Sequence, residues 1–282
     1  MKYKCIVMDV DGTLISSGRD ILLETKEALL KVQENGVKLI LASGRPVMGL
    51  MKLAKDLDMF NHHGYFVAYN GSQVIDCQTM EVLFNQALSV EEGKAILHHL
   101  KQFEVRPLIV KGEYAYVHNV YDSDVTVNGV TRNIVDHESH DNGYKLCEVD
   151  DLEEFVDFPL NKILTIGEPE YLQAHYQEMY APFTSQVNAM FTAPFYYEYT
   201  SKGIDKTNAL STVLKPLGYH PEEMIAFGDA QNDSTMLQYC GKGIAMGNAT
   251  EELKAIADEV TESVDNAGIA KALYKYFPEL FD

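Results

Sequence analysis

The feature that most constrains this chain is the alternation of short apolar runs with helical segments near its N-terminus. Residues 4–10 and 37–41 are short apolar runs that each end in a polar loop, which is typical of buried parallel strands. Residues 21–33 lie between them and carry apolar side chains at helical spacing. A helix over 47–57 and a strand over 65–69 continue the alternation. The pattern predicts right-handed βαβ units around a parallel sheet, and therefore an α/β fold.

The pattern changes after Asn70-Gly71. Residues 73–76 and 81–84 have the composition of a hairpin, and the chain then mixes strand-like and helical runs without the βαβ alternation. Residues 122–150 are polar and acidic with weak periodicity, and no helix is predicted there. This middle region is interpreted as a separate α+β domain.

The α/β pattern resumes at Ser201-Lys202-Gly203, with a helix predicted over 206–214 and a strand over 224–227. The simplest organisation is a core divided by an insertion. We expect the core to comprise residues 1–84 and 198–282, and the inserted domain to comprise 85–197.

Composition limits the classes of partner. The 282 residues include 23 Lys plus Arg and 42 Asp plus Glu, giving a formal net charge of −19. A chain this acidic is not expected to bind nucleic acid or an anionic membrane. Its net field repels phosphorylated substrates, so a metal ion or a few local cations would have to attract them.

Cysteine usage and hydropathy indicate a cytoplasmic protein. Four widely spaced cysteines with no C-x-x-C motif predict reduced thiols rather than disulfides or a zinc site. No signal peptide and no membrane span is predicted, which excludes transporters and membrane-embedded pumps.

Two carboxylates follow the first predicted strand in the sequence Asp9-Val10-Asp11-Gly12-Thr13. Paired acids at a strand end suit a division of labour, with one acting as nucleophile and metal ligand and the other transferring protons. Gly12 allows the backbone to turn tightly after them. Taken alone, a D-x-D-G sequence is equally compatible with a solvated acidic turn.

Three further motifs follow predicted strands or open predicted helices. Ser43-Gly44-Arg45 offers a hydroxyl and an amide to an anion, and Lys206 could neutralise charge on a transferring phosphoryl group. Residues 228–233 form an acidic cluster whose oxygens would suit Mg²⁺. Because the carboxyl ends of parallel strands share one edge of the sheet, these motifs are expected to converge.

The order of the four motifs along the chain is more specific than any one of them. In this order the sequence resembles the haloacid dehalogenase (HAD) superfamily of aspartate-nucleophile phosphatases. Within that superfamily it is similar to the Cof-type group (subclass IIB), which acts on sugar phosphates and related small metabolites. The resemblance extends end to end and includes Tyr69-Asn70-Gly71 and residues 244–249. It implies a HAD-like Rossmannoid core with a parallel sheet, and an inserted C2-type α+β cap domain that determines substrate specificity.

The resemblance also implies a role for each acidic residue. Asp9 would attack phosphorus, form an aspartyl-phosphate and coordinate Mg²⁺. Asp11 would protonate the leaving alcohol and then activate water, and its backbone carbonyl would bind the metal. Asp229 would be the remaining protein ligand of Mg²⁺, and Asp233 would hold a metal-bound water.

The same resemblance implies the residues that bind phosphate. Gly12, Ser43, Gly44 and Lys206 would hold the phosphoryl oxygens, and Asn232 would touch the phosphate or orient Lys206. The family often has Lys-Gly at the third motif, whereas Lys206 is followed by Thr207. Lys202-Gly203 has that dipeptide, so Lys202 remains the alternative to Lys206.

The predicted function is therefore Mg²⁺-dependent hydrolysis of phosphomonoesters of small metabolites, with sugar phosphates the expected substrates. Two alternatives stay open on the sequence. A phosphomutase would use the same aspartyl-phosphate and pass it to a second hydroxyl, and a phospho-metabolite sensor would bind without turnover.

Overall fold

A computed structural model of the chain describes residues 1–16, 20–127 and 129–281. Residues 17–19, 128 and 282 fall within the predicted domain ranges but outside the described residues.

The described residues form sixteen strands: β1 (Cys5–Met8), β2 (Lys38–Ala42), β3 (Tyr65–Ala68), β4 (Gln73–Asp76), β5 (Val82–Asn85), β6 (Arg106–Lys111), β7 (Tyr114–Val117), β8 (Asp124–Val127), β9 (Val130–Asn133), β10 (Lys145–Glu148), β11 (Ile163–Ile166), β12 (Val187–Ala193), β13 (Tyr196–Ser201), β14 (Met224–Gly228), β15 (Lys242–Ala245) and β16 (Glu259–Val260).

The same residues form eleven α-helices: α1 (Leu23–Glu34), α2 (Val47–Asp56), α3 (Val90–Leu100), α4 (Ile134–Asn142), α5 (Leu152–Phe155), α6 (Pro169–Tyr180), α7 (Lys206–Leu214), α8 (Ser234–Tyr239), α9 (Glu251–Ile256), α10 (Gly268–Tyr276) and α11 (Pro278–Phe281). Short 3₁₀ turns connect several of them. No helix in the described ranges is long and apolar enough to cross a membrane.

The described residues divide into two compact units. One comprises Met1–Asn85 together with the chain from Asp205 onward, and the other comprises Gln86–Ile204. Each unit has its own cluster of buried apolar side chains, so each buries its sheet and helices separately.

The first unit contains an eight-stranded sheet with the strand order β16-β15-β14-β1-β2-β3-β4-β5. Its strands are parallel from β16 to β3, whereas β4 and β5 pair antiparallel as the predicted hairpin. The predicted HAD-like α/β core is therefore confirmed, with an antiparallel hairpin at one edge. Every residue of β1 and β14 is buried, as expected for central strands of a parallel sheet.

The register of the central strands brings their carboxyl ends level. Met8 of β1 lies opposite Phe227 of β14 on one side and Leu41 of β2 on the other. The backbone amide of Asp9 continues this pairing by donating to the Phe227 carbonyl at 3.0 Å. The loops that follow these strands therefore begin side by side.

The second unit contains a six-stranded sheet with the order β10-β7-β6-β11-β13-β12 and a separate two-stranded hairpin of β8 and β9. All neighbouring strands of the larger sheet are antiparallel except β10 and β7. A mainly antiparallel sheet packed with helices is an α+β architecture, so the second unit is an α+β unit.

The division of the chain differs from the predicted boundaries at both ends. The first unit continues through Asn85 because β5 includes that residue. At the second boundary, residues 198–204 belong to the inserted unit rather than to the core. The physical reason is that β13 continues to Ser201 and pairs with β11 and β12, so its residues cannot leave that sheet.

The expectation that residues 122–150 contain no helix is wrong, because α4 covers Ile134–Asn142. Asn133 caps its N-terminus by accepting a hydrogen bond from the Asp136 amide, and Gly143 ends it in the left-handed conformation. Ile134 and Val135 are buried. Tertiary burial and end capping therefore stabilise a helix that lacks a clear apolar stripe.

Candidate active site

Four loops of the first unit supply the polar side chains of the candidate site. Asp9 follows β1, Ser43 follows β2, Asn70 follows β3 and Asp229 follows β14. The Ser43 amide donates to the Val67 carbonyl at 2.9 Å, which holds its loop against the neighbouring strand. The sequence-predicted convergence of these motifs at one sheet edge is therefore present in the structure.

A buried ion-pair cluster joins the first, third and fourth motifs. The Lys206 ammonium donates to Asp9 Oδ1 at 2.6 Å and to Asp233 Oδ1 at 2.7 Å. Lys206 is 1% exposed and Asp233 is 0% exposed. A lysine buried this deeply requires paired carboxylates, and here it has two.

The pKa values in this cluster follow from burial and charge. Burial raises the pKa of Asp9, and the Asp233 carboxylate adds to the rise although Lys206 opposes it. Burial favours the neutral amine of Lys206, but the two carboxylates outweigh it, so the pKa of Lys206 is raised. The Lys206 ammonium therefore stays charged. Negative charge in the cluster beyond the one that balances this ammonium costs free energy.

Asp229 is held by contacts from three sides. Thr13 Oγ1 donates to Asp229 Oδ1 at 2.7 Å, and the Asp229 amide donates to Asp233 Oδ2 at 3.0 Å. The Thr250 amide donates to the Asp229 carbonyl at 3.0 Å. Burial raises the pKa of Asp229 to about 6, and the Thr13 hydrogen bond opposes that rise.

Gly12 is a position that only glycine can occupy. Its φ of +86° lies in the left-handed region, and a Cβ there would overlap the Asp229 carboxylate. Asn248 Nδ2 donates to the Gly12 carbonyl at 2.8 Å, which fixes the turn. Because Gly12 has no side chain, the loop of the first motif can lie against Asp229 of the fourth motif.

The Asp11 carboxylate makes a bidentate pair with Arg45. Arg45 Nε donates to Asp11 Oδ2 and Arg45 Nη2 donates to Asp11 Oδ1, both at 2.7 Å. The Asp11 side chain is 58% exposed, in contrast to the buried Asp9. The two acids of the first motif therefore have different environments, one buried and one exposed.

The second motif forms a tight turn beside Asn70. The Ser43 hydroxyl accepts a hydrogen bond from the Arg45 amide at 3.1 Å. Asn70 has a left-handed backbone, and its amide donates to the Ser43 carbonyl at 2.9 Å. A Cβ on Gly44 would lie 3.1 Å from Asn70 Nδ2, so the two loops are in close contact.

Asn70-Gly71 also contacts the start of α7. Gly71 has φ of +100°, and a Cβ there would overlap the Asp205 backbone. Asp205 caps α7, since its side chain accepts from the Asn208 amide at 2.7 Å. This close approach fixes the helix start, and with it the backbone of Lys206.

Asn232 contacts Asn70 rather than Lys206. Its Nδ2 donates to Asn70 Oδ1 at 3.2 Å. Lys206 is instead oriented by Asp9 and Asp233. Of the two roles that the sequence suggested for Asn232, the structure gives no support to orienting Lys206.

The carboxylates of Asp9, Asp229 and Asp233 fit a divalent cation. Ligand atoms of the three lie within 4.8 Å of one another, and the one cationic side chain bonded to them is Lys206 among the described residues. Hard oxygen ligands suit Mg²⁺. Burial raises the pKa values of Asp9 and Asp229, the neighbouring Asp233 carboxylate adds to both rises, and a bound cation would favour the charged form of each acid.

Asp233 is less available to a cation than the other two acids. Its Oδ1 accepts from Lys206, and its Oδ2 accepts from the backbone amides of Asp229 and Ala230. The Asp11 side chain is engaged by Arg45 and is not part of the carboxylate cluster. This leaves Asp9 and Asp229 as the side chains with the most accessible ligand atoms.

Lys202, the alternative lysine, lies in the inserted unit. It is exposed and donates to the Ser185 carbonyl at 3.0 Å. The structure places Lys206, not Lys202, against Asp9.

Sequence reasoning assigned no role to Thr13 or Arg45, although both stand inside the recognised motifs. Their partners, Asp229 and Asp11, are 216 and 34 residues away along the chain. The only sequence signal for a role of Thr13 or Arg45 was that each has a hydrogen-bonding side chain in a loop already expected at the site.

Comparisons with known proteins show which family the chain is similar to. The family model for haloacid dehalogenase-like hydrolases matches residues 6–273. A haloacid dehalogenase-like hydrolase of Bacteroides thetaiotaomicron is 32% identical, with a TM-score of 0.90 over 98% of this chain and 100% of its own. The HAD subclass IIB sugar phosphatase BT4131 is 27% identical, with a TM-score of 0.76 over 98% of this chain and 99% of its own.

A curated phosphatase is also similar to this chain over nearly its whole length. The 5-amino-6-(5-phospho-D-ribitylamino)uracil phosphatase YcsE of Bacillus subtilis is 30% identical over 275 residues, which cover 96% of this chain and 94% of its own. The chain thus belongs to the haloacid dehalogenase-like hydrolases, within the Cof-type group of phosphatases.

Proposed function

We propose that this enzyme is a Mg²⁺-dependent phosphatase that hydrolyses phosphomonoesters of small metabolites, sugar phosphates foremost, through a phosphorylated Asp9. The observation that carries the proposal is the buried Lys206 ammonium between Asp9 and Asp233, with the Asp229 carboxylate beside them. A cationic side chain next to a carboxylate nucleophile offsets the repulsion between that nucleophile and an anionic phosphate.

Asp9 is the proposed nucleophile. Its Oδ1 accepts the Lys206 hydrogen bond, while Oδ2 makes no hydrogen bond to any side chain or amide in the described ranges. One oxygen is therefore held in place and the other can attack phosphorus. The new bond joins a carboxylate oxygen to phosphorus, and the bond to the leaving alcohol breaks.

Asp11 is the proposed proton carrier. Its exposed carboxyl would give a proton to the leaving oxygen, then take one from the water that cleaves the phosphorylated Asp9. The second step returns Asp9 to the free carboxylate and Asp11 to the protonated acid, and it releases inorganic phosphate. In the structure Arg45 donates to both Asp11 oxygens and so holds the side chain in a defined orientation.

Asp9 and Asp229, with the Asp11 carbonyl, are the residues that would hold Mg²⁺. When bound, the cation would neutralise charge on the phosphoryl group. Gly12, Ser43, Gly44, Lys206 and Asn232 remain the proposed phosphate-binding residues. Asp233 is proposed to orient Lys206 and to hold a metal-bound water.

The inserted unit, Gln86–Ile204, is the proposed cap domain that selects the substrate. The proposed location is the cytoplasm, in keeping with four free cysteines, three of them buried.

The test is phosphate release from a panel of sugar phosphates and an aryl phosphate, each with Mg²⁺ and with EDTA. The variants are Asp9→Asn and the matched control Asp58→Asn, whose left-handed backbone (φ 54°) asparagine tolerates. We expect Mg²⁺-dependent release that Asp9→Asn abolishes and Asp58→Asn retains. Acid quenching followed by mass spectrometry should detect a phosphoryl group on Asp9.

Other outcomes would redirect the proposal. Phosphate release that persists in Asp9→Asn would refute the role of Asp9 as the nucleophile. Phosphate release in EDTA would refute the metal requirement. Isomerisation that needs a sugar bisphosphate would establish a phosphomutase. Ligand binding without any turnover would indicate a sensor.

A further inference from the structure

Thr13 is a buried residue whose hydroxyl points at a proposed metal ligand. It is 1% exposed, and its Oγ1 donates to Asp229 Oδ1 at 2.7 Å. A threonine hydroxyl has a single hydrogen to donate, so this bond uses its whole donor capacity. The bond is charge-assisted, because the acceptor is a carboxylate, and such bonds are stronger than neutral ones.

The loop that carries Thr13 has little freedom to move the hydroxyl away. The Gly12 amide donates to the Ile15 carbonyl at 3.1 Å, and the Leu14 amide donates to the Val10 carbonyl at 2.9 Å. Asn248 links the Gly12 carbonyl to the Val264 amide through its two side-chain atoms. The turn therefore fixes the Thr13 backbone, and the hydrogen bond to Asp229 holds the side chain in the rotamer that places Oγ1 there.

The opposite side of the Asp229 carboxylate is also constrained. A Cβ at Gly12 would overlap its Oδ2, and its backbone is held by Asp233 and Thr250. With the main chain fixed, rotation of the carboxylate plane is the remaining freedom. The Thr13 hydrogen bond to Oδ1 restricts that rotation, and Oδ2 accepts no hydrogen bond from the described residues.

We propose that Thr13 is a positioning residue that holds the Asp229 carboxylate in the orientation required to bind the divalent cation. The proposal rests on the proposed Mg²⁺ site and adds a residue to which no role had been assigned. Partners that hydrogen-bond a metal-ligating carboxylate fix its orientation, and their removal typically weakens metal binding about 10- to 100-fold.

The test measures metal binding directly, without substrate. Mn²⁺ serves as the probe, because its free ion gives an electron paramagnetic resonance signal that is lost on binding, and Mg²⁺ then competes for the site. Thr13→Val keeps the methyl group and removes the hydroxyl, whereas Thr13→Ser keeps the hydroxyl. We expect Thr13→Val to bind both ions about 10- to 100-fold more weakly and Thr13→Ser to stay within about 3-fold of the wild type.

Thr165→Val is the matched control. Thr165 is fully buried, and its Oγ1 has no hydrogen-bond partner within the described part of the chain. Loss of this hydroxyl should leave Mn²⁺ binding unchanged. A merely structural role for Thr13 would lower stability but would not change metal affinity.

A second comparison covers the case in which Thr13→Val fails to fold. Thr13→Ala and Thr13→Ser both lack the methyl group and differ only in the hydroxyl, so their ratio of affinities isolates the hydrogen bond. Excess Mg²⁺ should also restore the phosphatase rate of the weakened variants. Metal affinities equal to those of the wild type in Thr13→Val, or in Thr13→Ala, would overturn the role of Thr13 alone. An absence of Mn²⁺ binding in the wild type would overturn the metal site itself.

Discussion

The cluster around Lys206 allows the most quantitative test of the site. Lys206→Met retains much of the length of the side chain and removes its charge. The substitution would leave Asp9 and Asp233 buried without their shared cation. The matched control is Lys202→Met, which removes the same charge at an exposed position.

The magnitude follows from the burial of all three groups. Lys206, Asp9 and Asp233 are 1%, 7% and 0% exposed. Removing one partner of a buried ion pair typically costs about 3–5 kcal/mol, because the remaining charge is left uncompensated. Two carboxylates share the lysine here, so we expect a loss of at least about 3 kcal/mol in the free energy of unfolding at pH 8.

The loss should depend on pH. Burial already raises the pKa of Asp9 in the folded state, and the loss of Lys206, which lowers that pKa, would raise it further. The folded protein then holds a proton that the unfolded chain has released, so its stability falls as pH rises through the folded-state pKa of Asp9. The destabilisation should consequently be smaller at pH 5 than at pH 8.

The assay is urea unfolding of metal-free protein followed by circular dichroism at both pH values. Lys202→Met should match the wild type within about 0.5 kcal/mol, as exposed substitutions usually do. The phosphatase rate of Lys206→Met should fall at least about 100-fold, the typical effect of losing one electrostatic donor at a reaction centre. Equal stabilities for the two variants, or a loss independent of pH, would refute the reasoning.

Two further predictions concern Asp11 and the metal. Arg45→Gln removes the bidentate contact that orients Asp11. It should therefore slow hydrolysis of alkyl phosphates about 10-fold more than that of 4-nitrophenyl phosphate, whose leaving group needs little protonation; equal losses measured by phosphate release would contradict this role. Mg²⁺ should raise the melting temperature more at pH 8 than at pH 6. Burial raises the pKa values of Asp9 and Asp229, the latter to about 6, so protons compete with the cation for these carboxylates at the lower pH. Thermal unfolding in Mg²⁺ and in EDTA at both pH values tests this, and a stabilisation that does not change with pH would count against these ligands.

The elements of the parallel core could be read from the sequence because their signals are local. The predicted helix over 206–214 has the bounds of α7, where the Asp205 cap marks its start. Strands β1, β2, β3 and β14 lie within about two residues of their predicted ranges, since each is a short buried run between polar loops.

The inserted unit was less predictable. Between residues 122 and 150 lie β8, β9 and β10, each four residues long, and the polar helix α4. Segments this short contain too few side chains to establish a period, and their burial depends on neighbours distant in sequence. The same cause displaced the predicted boundary at 197/198, because pairing with β11 and β12 determines the extent of β13.

The sequence by itself determined the family, the α/β core, the loops that carry Asp9, Ser43 and Asp229, and the helix start that carries Lys206, because strand ends, glycines and helix caps are encoded locally. Only the tertiary structure decided which side chains pair within the site. Thr13 meets Asp229, Arg45 meets Asp11 and Asn232 meets Asn70 across 216, 34 and 162 residues. Strand register and the close approach permitted by Gly12 and Gly71 determine those pairings, and neither is encoded in any one segment of the chain.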